Sequence, residues 1–113
     1  GQIVAVCPGD YTENVLVDKS LTIRSIGGRG VTTVQAQNSG KHVFWIKNSV
    51  VTIQGLTITG AKEAWALWAD GTVTLLDSAV THNQGGVGVN RPSSIVSVRN
   101  FIAENNTGPG VMC

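Results

Sequence analysis

Charge is scarce in this chain of 113 residues, where 8 Lys+Arg face 7 Asp+Glu for a formal net charge of +1. The positive residues form no cluster, so the electrostatic footprint of a nucleic-acid-binding domain or of a protein held to an anionic membrane is missing. No run of 18 apolar residues occurs, which excludes a helical membrane span. Cys7 and Cys113 permit at most one bridge, and a disulfide-stapled scaffold is excluded. Two cysteines and two histidines in no paired motif make no zinc site, and no cofactor is expected. Helical signals are equally thin: no window of 11 residues shows i, i+3, i+4, i+7 apolar spacing free of glycine or β-branched runs.

Val (16), Ile (8), Thr (11) and Gly (14) are abundant, a composition of strands and tight turns. The 42% hydrophobic content is too high for a disordered chain of such low charge. The length suits one domain over residues 1–113, and a start at Gly1-Gln2-Ile3-Val4 with an end at Val111-Met112-Cys113, where a strand begins, reads as a processed chain or a piece of a longer one. The expectation is a single β-helix domain that forms part of a longer solenoid or assembly.

An internal repeat supports this. Val51-Thr52-Ile53-Gln54-Gly55-Leu56-Thr57-Ile58 aligns with Val73 to Val80 and with Val96 to Ala103, at offsets of 22 and 23 residues. Leu21-Thr22-Ile23-Arg24-Ser25-Ile26 lies 30 residues before the first of these, the same unit with an insertion around Gly27-Gly28-Arg29-Gly30. Between them fall Val43-Phe44-Trp45-Ile46, Ala64-Trp65-Ala66-Leu67-Trp68 and Gly86-Val87-Gly88-Val89. A period near 22 marks a solenoid, and the alternation inside each unit has the period of two that belongs to strands. Gly55, Asp77 and Asn100 share a corner position, where residues tolerant of left-handed backbone are needed. The fold class is therefore all-β: a parallel β-helix of about five coils, three short strands per coil, rising about 4.8 Å per coil. Val51, Ile53, Leu56 and Ile58 point inward, with Val73, Leu75, Val80, Val96, Val98 and Phe101 as their counterparts.

The opening run Val6-Cys7-Pro8-Gly9-Asp10-Tyr11-Thr12-Glu13 through Lys19-Ser20-Leu21-Thr22-Ile23 resembles the first coil of the pectin-lyase-like right-handed parallel β-helix superfamily. The later units are similar to repeats of carbohydrate-binding proteins and sugar hydrolases, including NosD-type proteins. The resemblance implies a right-handed coil. It does not select a function, because that fold hosts lyases, hydrolases, epimerases, adhesins and inert stalks.

Lyases of this kind hold carboxylates on one strand face for calcium, and hydrolases bring two or three Asp together. Asp10, Glu13, Asp18, Glu63, Asp70, Asp77 and Glu104 do not stack in this repeat, and no catalytic residue is assigned. Cys7 has no base beside it, His82 falls at a strand end, and His42 has no acidic neighbour. The tryptophans carry more. Aligned with Val87 and Val89, Trp65 and Leu67 face inward and Trp68 faces out, beside Asn90 on the next coil and Ile46 on the previous one. An exposed indole flanked by Asn and Thr is a platform for a sugar ring. Thr52 and Thr74 join Thr22 and Ser97 in an outward hydroxyl row, so the candidate ligand-binding residues are Trp68, Asn90, Thr52 and Thr74. Asn105-Asn106-Thr107 matches an N-glycosylation acceptor.

The expected protein is a secreted, periplasmic or cell-surface module with a structural or glycan-binding role, partnered by polysaccharide and stacking end to end on itself. The competing reading is a fragment of a polysaccharide lyase or hydrolase acting on uronate-containing glycans.

Overall fold

A computed structural model describes residues 2–89 and 94–108, together with the backbone of 111–112. The first coil holds β1 (Gln2–Val6), β2 (Gly9–Thr12) and β3 (Val15–Val17), and the second begins with β4 (Leu21–Ser25) and β5 (Thr32–Gln35). β6 (Phe44–Gln54) finishes the second coil and, past a bulge, starts the third, which continues with β7 (Thr57–Thr59). β8 (Trp65–Leu76) likewise joins the third coil to the fourth, followed by β9 (Ala79–Thr81) and β10 (Gly85–Val89). β11 (Ile95–Arg99), β12 (Ile102–Glu104) and β13 (Val111–Met112) make the last. Every pairing is parallel.

Three faces result. β1, β4 and the latter halves of β6 and β8 stack with β11; β2, β5, β7, β9 and β12 form the second face; β3 and the leading halves of β6 and β8 stack with β10 and β13. Five strands lie on each face, four inter-strand steps from end to end, as the repeat requires.

The core follows the ladders. Ile23, Ile53 and Leu75 share one register line, and Val34, Ile58 and Val80 another; all six are buried. Phe44, Leu67 and Val87 line the third face inward. Val98 continues the Leu75 ladder but is 47% exposed, and Val96 and Phe101 are half-buried; among the described residues no strand covers this side of their coil. At the first coil Val4 and Ile3 are exposed, as Ile95 and Ile102 are at the last. Cys7 is exposed and free, and Cys113 lies outside the described residues.

The corners obey the expected backbone rule. Gly55, Asp77 and Asn100 take φ of +79°, +49° and +50°, and one corner later Gly60, His82 and Asn105 take +91°, +56° and +56°. Only glycine and a few side chains such as Asn and Asp enter this region readily.

An interior asparagine ladder was not foreseen. Asn83 is buried; its Oδ1 accepts from the Ala61 N–H of the coil below at 2.8 Å, and its Nδ2 donates to the Thr81 and Ile58 carbonyls at 2.9 and 3.2 Å. Asn106 repeats this one coil on, accepting from the Asn83 N–H at 3.0 Å and donating to Val80 O at 3.3 Å. Each carboxamide satisfies corner backbone that the strand ladders leave unpaired. The insertion after β4 folds back along the stack, where Arg29 Nη1 donates to Asn100 O at 2.9 Å and to Ser78 O at 3.4 Å, and Arg29 O accepts from the Thr57 hydroxyl.

Candidate functional site

The outward side of the third face gathers the aromatic residues. Leu16, Trp45, Trp68 and Gly88 fall on one cross-strand row. Trp68 is therefore flanked by Trp45 and Gly88, not by Ile46 and Asn90: the register runs two residues away from the alignment that paired Trp68 with position 90. Asn90 itself lies outside the described residues.

Trp68 is half-buried, and Trp45, at 42% exposure, is the open indole. Trp65 departs from the inward position expected of it. Leu67, Val43 and Ala64 already fill the interior at this level, and the half-buried Trp65 ring leans on Trp68 with 5.7 Å between centroids. Room for both indoles comes from β10. A Cβ on Gly88 would sit 2.5 Å from Cε3 and Cζ3 of Trp68 and 3.0 Å from Cδ2 of Trp65, and a Cβ on Gly85 would strike the Trp65 ring. Both glycines are buried beneath these rings. Trp65-x-x-Trp68 thus faces Gly85-x-x-Gly88 at the register offset, a pairing of bulk with vacancy that the sequence contained but that the strand alignment passed over.

His42 completes the group. Its ring stacks on Trp68 at 5.4 Å and 9° and meets Trp45 edge-on at 6.4 Å and 77°. The Trp65 N–H donates to His42 Nδ1 at 3.0 Å, so the neutral ring carries its proton on Nε2. Burial pushes the His42 pKa below its ordinary value. The loop carrying His42 is tied to the first coil by Asn14, whose Nδ2 donates to the carbonyls of Asn38, Lys41 and His42 while its Oδ1 accepts from the Asn38 N–H at 2.7 Å. Between this loop and the sheet lies a cleft of about 390 Å³ lined by Asn14, Leu16, Gly40, Lys41, His42 and Trp45. The Lys47 ammonium stands 5.2 Å from the Trp45 centroid.

Thr52 and Thr74 do pair, in an outward row running Thr22, Thr52, Thr74, Ser97. That row is on the first face, beyond the bulge where Asn48 takes φ +50°, and is not joined to the tryptophans. Asp77 is a corner residue that accepts a 2.9 Å hydrogen bond from Asn100 Nδ2. Among the described residues no three His, Cys, Asp or Glu side chains are placed to hold a metal ion, and no helix is long and apolar enough to cross a membrane.

No family model and no solved structure matches this chain. A protein of Methanothermus fervidus named "Cell surface glycoprotein" is 45% identical to it over 62 residues, 55% of this chain and 10% of that protein. The chain is a parallel β-solenoid that spans about a tenth of the length of this similar protein.

Proposed function

We propose that this chain is a surface-displayed β-helix module that binds carbohydrate at the cleft beside Trp45 and has no catalytic centre of its own. The observation that carries the reading is an open indole at a cleft, held by a fixed aromatic stack. Trp45 offers a flat apolar face; behind it Trp68 and Trp65 rest on the Gly85 and Gly88 floor and His42 stacks on Trp68, so little side-chain freedom is lost when a sugar ring stacks. The cleft's size is in the range that seats a small ligand. Lys41 in its lining and Lys47 beside Trp45 favour a glycan bearing carboxylate groups, such as a uronate polymer. The surface location draws on the name of the Methanothermus relative, and the carbohydrate role on the exposed indole at the cleft, with the similarity of the later units to repeats of carbohydrate-binding proteins beside it.

Titration calorimetry and tryptophan fluorescence against uronate-containing and neutral oligosaccharides test the proposal. Binding that Trp45→Ala abolishes, with an unchanged melting temperature, supports it. No binding to either class, or equal binding by the variant, refutes it. New unsaturated or reducing ends appearing in the polymer would replace it with the lyase or hydrolase reading.

A further inference from the structure

We propose that Asn105 is an N-glycosylation site, receiving an oligosaccharide from a polyprenyl-phosphate-linked donor. Of the eight asparagines in the chain, only Asn105 begins an Asn-x-Ser/Thr triplet. The fold presents that triplet outward. Asn105 occupies the corner column of Gly60 and His82, and His82, on an inner coil, is exposed just as Asn105 is. Exposure at 105 therefore does not require a place in the last coil, since His82 has it with a coil on either side, while Gly60 in the same column is half-buried.

The middle residue fixes the outer two. Asn106 is held inward by its bonds to the Asn83 N–H and the Val80 carbonyl, and the Thr107 N–H donates to Asn83 O at 3.0 Å. Asn105 and Thr107, on either side, are both exposed. Among the described residues the Asn105 carboxamide takes part in no hydrogen bond, in contrast to Asn14, Asn83, Asn100 and Asn106. A left-handed corner explains an asparagine at 105 but does not call for a hydroxyl at 107, where the neighbouring coils carry Lys62 and Gln84.

In the transfer, Asn105 Nδ2 bonds to the anomeric carbon of the donor sugar as the bond from that carbon to the lipid phosphate oxygen breaks. The lipid phosphate leaves with the electron pair, and the amide nitrogen gives up one proton to a base of the transferase. No oxidant or reductant is involved. A glycan at this corner projects radially and leaves the ladders undisturbed. The proposal shares with the surface reading the need for export, but it is independent of sugar binding at Trp45.

The test is intact-mass and peptide mapping of the exported chain from the cells that make it, with a co-exported acceptor peptide to show that the transferase is active. Oligosaccharide on Asn105, lost in Asn105→Gln and Thr107→Ala and retained in Thr107→Ser, is the expected result. The melting temperature of Thr107→Ala should match that of the unmodified parent, showing that its loss of glycan is not misfolding. An exported chain with bare Asn105 and a modified acceptor peptide overturns the proposal, whatever the Trp45 cleft binds.

Discussion

Replacing Gly88 by alanine adds one methyl group at the point where Trp68 and Trp65 lie over β10. Unstrained carbon–carbon contacts sit at about 3.5 to 4.0 Å. The new Cβ would stand 2.5 Å from two carbons of the Trp68 ring, which must therefore withdraw by about 1 Å. It has little room to do so, because His42 is stacked on Trp68 and the Trp65 ring is itself 3.0 Å from the new atom. Overpacking of this sort costs about 1–3 kcal/mol. Against it stands a gain of about 0.5–1 kcal/mol, since glycine in a strand loses more chain entropy than alanine and Gly88 is not in the left-handed region. The clash wins over nearly the whole of these ranges, with a net loss of about 1 kcal/mol at their centres and about 2.5 kcal/mol at most. At about 4 °C per kcal/mol for a chain of this size, the melting temperature falls by roughly 5 °C, and by no more than about 10 °C. The near-UV circular dichroism of the tryptophans changes with it. Gly30→Ala is the control: nothing lies within 4 Å of its added Cβ, and it should be neutral or slightly stabilising. A Gly88→Ala variant as stable as the parent, with an unaltered near-UV spectrum, would show that the indoles do not rest on this glycine.

Other outcomes follow from the same structure. Leu75→Asp places a carboxylate in a ladder between Ile53 and Val98 and should abolish cooperative unfolding by circular dichroism. Asn83→Ala leaves the Ala61 N–H and the Ile58 carbonyl without their carboxamide partners in a buried corner, for a loss of about 2–4 kcal/mol in urea titration. His42 is held below its ordinary value of 6.5, so the fold favours the neutral ring: stability is complete above that value and declines as pH falls through the lowered one, and His42→Gln removes this dependence from the urea midpoint. The apolar residues open at both ends of the stack, Ile3 and Val4 at one and Ile95, Val98 and Ile102 at the other, should make the apparent mass in light scattering rise with concentration.

The coil path was legible in the sequence because three signals coincide in it: a period of about 22, the alternation inside Val51-Thr52-Ile53, and left-handed-tolerant residues at Gly55, Asp77 and Asn100. The site was less legible. Alternation places backbone directions but not large rings, so the open indole is Trp45, while Trp68 is clasped by its neighbours and Trp65 avoids a full interior. A uniform offset of 22 fails on both sides of Trp68: before the bulge at 48–49 the β6–β8 offset is 23, which brings Trp45 and not Ile46 beside it, and the β8–β10 offset is 20, against 23 for β8–β11, which brings Gly88 and not position 90. The asparagine ladder was hidden for a different reason: Ala61 occupies the position of Asn83 and Asn106, so the column shows no common residue type.

A coiled stack of this kind ordinarily stores its stability in contacts between adjacent turns, and its ends can loosen one turn at a time. Arg29 breaks that locality. From the second coil it reaches the corner carbonyls of the fourth and fifth, while its own carbonyl holds Thr57 of the third. Peeling away the final turn therefore disturbs a loop anchored near the beginning, across 71 residues of chain. A single side chain working as a tie rod gives a linear array some of the all-or-none character of a closed globule. Fraying measured by amide exchange at Ile102 and Ala103 would report how far that tie extends.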